Sequence, residues 1–110
     1  MRLSKLDPVF VTTDPGDSRG YHHTRYGEPA QGIEFDCPCG GACPPGHAGR
    51  LLCWFDTPIG GGSPARADWQ PVARWRVVSG VTVDDITLAP SIHVPGVWHG
   101  YVIAGEVKPV

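Results

Sequence analysis

The chain has 110 residues and a formal net charge of −2, with its lysines and arginines scattered singly. This length predicts one domain over 1–110, and the absence of a basic stripe argues against a nucleic-acid-binding surface. The 15 glycines and 12 prolines place much of the chain in turns, so a structural metal would stabilise the small core that remains.

The N-terminal segment 1–8 has no apolar stretch and meets a charge and a proline early, so it is not predicted to be a secretory signal. No run is long and apolar enough to be predicted as a membrane span. Without an export signal we expect a cytoplasmic protein. The four cysteines are then expected to be reduced metal ligands rather than two disulfides.

Alternating apolar residues predict β-strands along most of the chain, and no long window has a helical stripe free of Gly and Pro. Ile33 and Phe35 share one face of a predicted strand, as do Trp75 and Val77 in another. The expected fold is mostly β: a small antiparallel sheet or partly open barrel, with the cysteine loop between two strands. The predicted strands are 8–13, 32–36, 50–55, 74–79, 86–93 and 97–108.

Two stretches rich in glycine, proline and polar residues, 13–32 and 57–68, predict long loops. The first contains His22 and His23, which we expect to be solvated because no partner for them is evident. Long loops in so small a domain indicate binding surfaces or flexibility.

The cysteines cluster with one histidine in the order C-x-C-x3-C-x3-H, formed by Cys37, Cys39, Cys43 and His47. Thiolates and imidazole are ligands that Zn²⁺ prefers, and turns built from Gly and Pro let closely spaced ligands converge on one ion. The spacing differs from the paired C-x-x-C knuckles of zinc ribbons, so the sequence leaves open which four groups bind. Cys53 lies in an apolar run and has the pattern of a core residue.

A second group of reactive side chains lies at 85–99. Serine becomes nucleophilic when a neighbouring base takes its proton, and the base works best when a third group orients it. Ser91, His99 and Asp85 could fill these roles, although Asp85 lies about 20 Å from Ser91 along an extended strand. His93 shares the Ser91 face by alternation and competes as the base. His99 could instead bind the metal.

Contact between Ser91 and His99 depends on the turn at Pro95. A three-residue loop centred on Pro95 would place positions 91 and 99 opposite each other, with Cβ atoms about 5 Å apart. A two-residue turn at Pro95 and Gly96 would place Ile92 opposite His99 and direct Ser91 to the other face. Pro95 suits neither turn well, so the sequence leaves both registers open.

Three motifs taken together resemble a family of small phage and prophage proteins: F-x-C-P-C-G at 35–40, T-L-x-P-S-I at 87–92 and W-H-G-[FY]-V at 98–102. The match spans 32–107. Some members carry the label ammonia monooxygenase, which we set aside because that chemistry belongs to a large membrane copper enzyme. A related branch is similar to the peptidase of bacterial ubiquitin-like conjugation operons. The resemblance implies a location in the cytoplasm of a bacterial host or association with a virion.

The resemblance also implies a zinc-containing domain with Ser91 as candidate nucleophile and His99 as candidate base. Many relatives have a cysteine where this chain has Gly96, and the site therefore needs another ligand. The preferred structural zinc ligands are Cys37, Cys39, Cys43 and His47, with Cys53 and His99 in reserve.

Two functions of different classes follow. The first is a serine-type peptidase or related hydrolase that acts on a peptide or isopeptide bond, with structural zinc and Ser91, His99 and Asp85 as catalytic residues. The second is a non-catalytic, zinc-stabilised phage accessory or virion protein that binds a protein partner. Both require a protein or peptide partner, and neither involves nucleic acid or a membrane.

Overall fold

A computed structural model describes residues 1–13, 20–39, 49–65 and 73–110. These residues form a mostly β fold with a six-stranded mixed sheet and a three-stranded antiparallel sheet. Within the described ranges the strands close no barrel, and no helix is long and apolar enough to cross a membrane. The predicted fold class is confirmed.

The larger sheet has the strand order β2-β1-β3-β4-β5-β6, and the smaller one has the order β7-β8-β9. A short 3₁₀ helix, Leu3–Leu6, precedes the strands. The strands are β1 Val9–Thr12, β2 His22–His23, β3 Ala30–Asp36, β4 Arg50–Ile59, β5 Arg74–Ser79, β6 Thr87–Ala89, β7 Ile92–Val94, β8 Trp98–Ile103 and β9 Glu106–Pro109.

The larger sheet is mixed because β4 and β5 run parallel, with Trp54 opposite Arg74 and Phe55 opposite Trp75. Parallel neighbours need a crossover of a dozen or more residues, and the connection at 60–73 meets that requirement. Antiparallel pairing was expected throughout the sheet, and the structure differs from that expectation at β4 and β5.

The predicted strand over 86–93 is two strands in different sheets, and its prediction as one strand was wrong. β6 ends at Ala89 and β7 begins at Ile92. Pro90 lies between them and has no N–H to donate, so a continuous ladder is interrupted there. The chain crosses from the larger to the smaller sheet at this break.

The two predicted loops contain more strand than expected. The stretch 13–32 includes β2 and the start of β3, and β4 continues into 57–68 as far as Ile59. These additions are too short to produce a recognisable alternation of apolar residues. Positions 14–19 of the first predicted loop and 66–68 of the second lie outside the described residues.

The two adjacent histidines have carboxylate neighbours, which corrects the expectation that both are solvated without partners. His22 Nε2 lies 3.2 Å from both carboxylate oxygens of Glu28, and His23 Nε2 lies 3.7 Å from Glu34 Oε1. β2 pairs antiparallel with β1 and brings His23 toward the face that carries Glu34. Of these two histidines, His23 is largely exposed and His22 is not.

The main core draws buried side chains from both sheets and from the 3₁₀ helix. Ile33, Phe35 and Phe55 of the larger sheet share it with Val102 of the smaller sheet and with Leu3. A second cluster on the other face of the larger sheet is built around Val11, Trp54 and Ala65. The common core fixes the smaller sheet, and with it the candidate site, against the larger one.

Candidate active site

The hairpin of β7 and β8 has a register that neither sequence-based alternative anticipated. Ile92 pairs with Gly100, and His93 pairs with His99. The loop has three residues, 95–97, and its centre is Gly96 rather than Pro95. Gly96 has a φ of 73°, a left-handed conformation that glycine adopts without steric cost.

This register places Ser91 and His99 diagonally on the same face, close enough to contact each other. Ser91 Oγ and His99 Nε2 lie 3.0 Å apart and are hydrogen bonded. Diagonal neighbours in an antiparallel pair are about 7–8 Å apart at the backbone, a gap that an imidazole can span. The contact that would activate a serine is therefore present.

His93 contacts the imidazole of His99 rather than the hydroxyl of Ser91. It lies directly opposite His99, and the two ring centroids are 4.6 Å apart with a 34° angle between the planes. Within the described part of the chain, the only side chain hydrogen bonded to Ser91 is His99. The geometry thus favours His99 over His93 as the base.

The neighbours of His99 in the W-H-G motif orient β8. Trp98 packs against the main core, and a Cβ atom at Gly100 would collide with the Trp98 indole and with Lys108 O. Gly100 therefore leaves the space that the indole fills. Because Trp98 and Gly100 face the core, His99 between them faces outward.

The pair lies on the exposed side of the smaller sheet. Ser91 is half-buried, whereas His93 and His99 are exposed. The same side of β8 continues with Tyr101 and Ile103, each 43% exposed. Among the described residues, this row of side chains lies on an open surface.

Asp85 lies in the loop between β5 and β6, where its carboxylate is engaged locally. Its Oδ1 accepts hydrogen bonds from Thr82 N at 2.8 Å, Thr82 Oγ1 at 2.9 Å and Val81 N at 3.0 Å. The hydrogen bonds from Thr82 lower the pKa of Asp85 below its ordinary value. The structure does not bring Asp85 to His99. Among the described residues, Nδ1 of His99 has no hydrogen-bond partner in the protein.

The first two cysteines of the cluster come directly after β3. Cys37 is buried with a free thiol, and its N–H donates to Gly49 O at 2.8 Å. Cys39 packs against the main core and is disulfide-bonded. Cys43 and His47 lie outside the described residues.

Cys53 occupies a core position on β4. It is opposite Ile33 on β3, and burial raises the pKa of its thiol to about 12. Cys37 is four positions from Ile33, so Cys37 and Cys53 are about 13 Å apart along the sheet. Two sulfurs on one zinc ion, each about 2.3 Å from the metal, must be much closer. Cys53 is therefore excluded from a site that includes Cys37.

In the part of the chain that the structure describes, no group of three or more His, Cys, Asp or Glu side chains is placed to hold a metal ion. His99, a reserve ligand, is instead engaged with Ser91 and His93.

The structure contains a groove that ends at Pro90, the residue before Ser91, and that was not expected from the sequence. It has a volume of about 340 Å³ and is lined by Asp56, Arg74, Arg76, Ala89 and Pro90. The alternation of Arg74 and Arg76 around the core-facing Trp75 was the available signal. This alternation alone does not reveal the groove, because the other lining residues come from β4 and from the end of β6. The order of these strands in the sheet is not evident from the sequence.

Comparison with known proteins yields no match: no family model matches the chain, and neither does any curated protein or solved structure. The phage-protein resemblance therefore remains a prediction from the motifs. Function is inferred from the geometry of the site.

Proposed function

We propose that the chain is a serine-type hydrolase that cleaves a peptide or isopeptide bond, with Ser91 as nucleophile and His99 as general base. The observation that carries the proposal is the 3.0 Å hydrogen bond between Ser91 Oγ and His99 Nε2. A general base must lie within hydrogen-bonding reach of the proton that it removes, and this pair does.

The reaction would proceed through an acyl-enzyme. Ser91 Oγ attacks the carbonyl carbon while its proton passes to His99 Nε2, and the imidazolium then donates that proton to the departing amine. Water, deprotonated by the same imidazole, hydrolyses the ester and restores the serine. These steps require the His99 tautomer with its proton on Nδ1.

His93 is proposed as the positioning residue for His99. Stacking of the two rings at 4.6 Å restricts rotation of the His99 imidazole, which is the orienting role that a carboxylate has in many hydrolases. The exposed Nδ1–H of His99 would be hydrated. Asp85 has no catalytic role in this proposal because its carboxylate is bound by Thr82 and Val81.

A protein or peptide substrate is supported by the open surface around the pair. Tyr101 and Ile103 continue the exposed row from His99, where they could pack against substrate side chains. A flat approach suits a peptide segment or an isopeptide bond on the surface of a folded protein.

We further propose that Cys37, Cys39, Cys43 and His47 hold a structural zinc ion. The support is the donor set, three sulfurs and an imidazole separated by turn-forming residues. Zinc would require Cys39 as a thiolate, so the disulfide of Cys39 and the metal are alternative states of one sulfur. A thiolate-rich ligand set suits a structural site, and no step of the reaction involves the metal.

A fluorophosphonate probe, which labels activated serines, tests the proposed nucleophile. Wild-type protein should gain one phosphonyl group, located at Ser91 by peptide mass mapping, and Ser91→Ala should gain none. Ser79→Ala is the matched control, since Ser79 is an exposed serine on β5. Failure of the wild-type protein to be labelled, or labelling at another residue, would refute the assignment.

The second candidate is a non-catalytic phage accessory or virion protein, stabilised by zinc and binding a protein partner. The observation that favours it is the exposure of His99 together with the engagement of Asp85 elsewhere, so that no carboxylate among the described residues orients the base. On this account neither wild type nor Ser91→Ala reacts with the probe, and both fold equally well.

A further inference from the structure

The groove beside Pro90 lies on the outward face of the larger sheet. Arg76 is opposite Ala89 across β5 and β6, and Asp56 of β4 also lines the groove. Trp75 and Val77, which alternate with the arginines, pack against the main core. A volume of about 340 Å³ is at the small end of ligand pockets and suits one or two residues of a peptide.

The two arginines in the groove differ in how they are held. Arg74 donates to Ala65 O at 2.6 Å and to Phe55 O at 3.5 Å, so its guanidinium is anchored to the backbone. Arg76 is exposed and forms no hydrogen bond or ion pair with any described residue. A guanidinium carries five donors in a planar fork that matches a carboxylate.

The groove is adjacent in the chain to the proposed nucleophile. Pro90 forms one wall, and Ser91 is the next residue, so their Cα atoms are about 3.8 Å apart. A peptide that runs from Ser91 past Pro90 would place the residue next to its reactive carbonyl at the groove.

We propose that this groove is a substrate subsite in which Arg76 binds a peptide carboxylate, with Arg74 adding a second positive charge. The inference rests on the proposed function and adds a substrate class to it: peptides that carry an acidic side chain or a terminal carboxylate near the cleaved bond. The described lining residues carry two guanidinium groups and one carboxylate, that of Asp56.

Peptide binding to the Ser91→Ala protein tests the subsite without turnover. Three fluorescein-labelled octapeptides would be compared by fluorescence anisotropy: one with an internal Glu and an amidated C-terminus, one with Gln and a free C-terminus, and one with Gln and an amide. We expect at least one carboxylate peptide to bind about tenfold more tightly than the neutral one, as charge-assisted hydrogen bonds imply. Which of the two binds identifies the source of the carboxylate.

Variants in the same background assign the preference to Arg76. Arg76→Gln should abolish it, and Arg76→Lys should retain only part of it because an ammonium cannot bind bidentately. Arg25→Gln removes the same charge from the loop after β2, at the opposite edge of the larger sheet, and should leave the preference intact. Circular dichroism would verify that each variant is folded.

Equal binding of all three peptides, no measurable binding of either carboxylate peptide, or an unchanged preference in Arg76→Gln would each overturn the subsite. The outcome is separable from that of the hydrolase proposal. Carboxylate preference without serine labelling would leave a carboxylate-binding groove and refute the hydrolase, whereas labelling without preference would support the hydrolase and refute the subsite.

Discussion

The contact between Ser91 and His99, 3.0 Å from Oγ to Nε2, is the residue-scale feature on which the proposed chemistry depends. Alternation places both side chains on one face whenever the connecting loop has an odd number of residues, wherever that loop is centred. Of the two turns that the sequence left open, only the three-residue loop would place Ser91 and His99 on one face. The structure has a different three-residue loop, centred on Gly96, that also places them on one face. The centre of the turn was not predictable because Pro95 conflicts with the usual loop conformations.

Asp85 is close to Ser91 in the sequence but has a structural role in its own loop, and two substitutions can separate this role from a catalytic one. Asp85→Asn retains an oxygen that can accept the hydrogen bonds from Thr82 and Val81, whereas Asp85→Ala does not. We expect serine labelling to be unchanged in Asp85→Asn. Asp85→Ala should lower the urea midpoint of unfolding because three hydrogen bonds that hold the loop are lost. A loss of labelling in folded Asp85→Asn would restore Asp85 as a catalytic residue.

The pH dependence of this loop follows from the lowered pKa of Asp85. A carboxylate whose pKa is lower in the folded state stabilises the fold above its unfolded pKa, about 3.9. That stabilisation is lost as the pH falls through the folded value. The stability difference between wild type and Asp85→Asn should therefore be constant above a pH of about 5 and shrink below about 4, as measured by urea unfolding. A difference that does not change with pH would contradict this.

Among the elements, the strands with clear alternation were predictable and the connections were not. β5 coincides with its prediction over 74–79 because polar and apolar residues alternate from Arg74 to Val77. The parallel pairing of β4 and β5 depends on how the chain crosses between them, which no local pattern encodes. The groove was not predictable for the same reason, because its lining residues come from three neighbouring parts of the sheet that are distant in sequence.

The β7–β8 turn gives a test at the scale of one element. Gly96 is left-handed, and a Cβ there would meet no atom within 4 Å, so any cost of substitution arises from the backbone. Gly96→Ala should destabilise the protein by about 1–2 kcal/mol. Gly96→Asn should cost less because asparagine tolerates this conformation. Urea unfolding measures both. Equal stability of Gly96→Ala and wild type would mean that the turn has a different conformation.

The whole molecule depends on contacts that join its two sheets, and several of them involve the first residues. Leu3 is fully buried in the main core, and its N–H donates to Gly105 O at 2.8 Å. Arg2 pairs with Glu106 at 3.2 Å. Together these contacts attach the N-terminal segment to β9. No local pattern in the short N-terminal segment predicts these contacts, because its partners are about a hundred positions away.

Zinc is the prediction that applies to the molecule as a whole. Protein purified under reducing conditions should contain one equivalent of zinc, and a strong chelator should lower its melting temperature because metal binding contributes to folding. Cys37→Ser should lose the metal, while Cys53→Ala should keep it, since Cys53 lies in the core. Metal content would be measured by mass spectrometry.

A protein that contains the disulfide would give the opposite result. Two of its four cysteines would be titratable after unfolding without a reductant, whereas all four would be titratable in a protein that held zinc. Protein without zinc, with two titratable thiols and a melting temperature insensitive to chelator, would replace the metal by a disulfide.

The most direct measurement of the central claim is the rate at which the fluorophosphonate probe labels Ser91 when the base is altered. His99→Gln retains a hydrogen-bonding group near Ser91 but cannot accept the proton, and we expect labelling to slow by about 10²- to 10⁴-fold. His23→Gln, a change at an exposed histidine on β2, should label at the wild-type rate. If folded His99→Gln labels as fast as wild type, the imidazole does not activate Ser91 and the proposed hydrolase is contradicted.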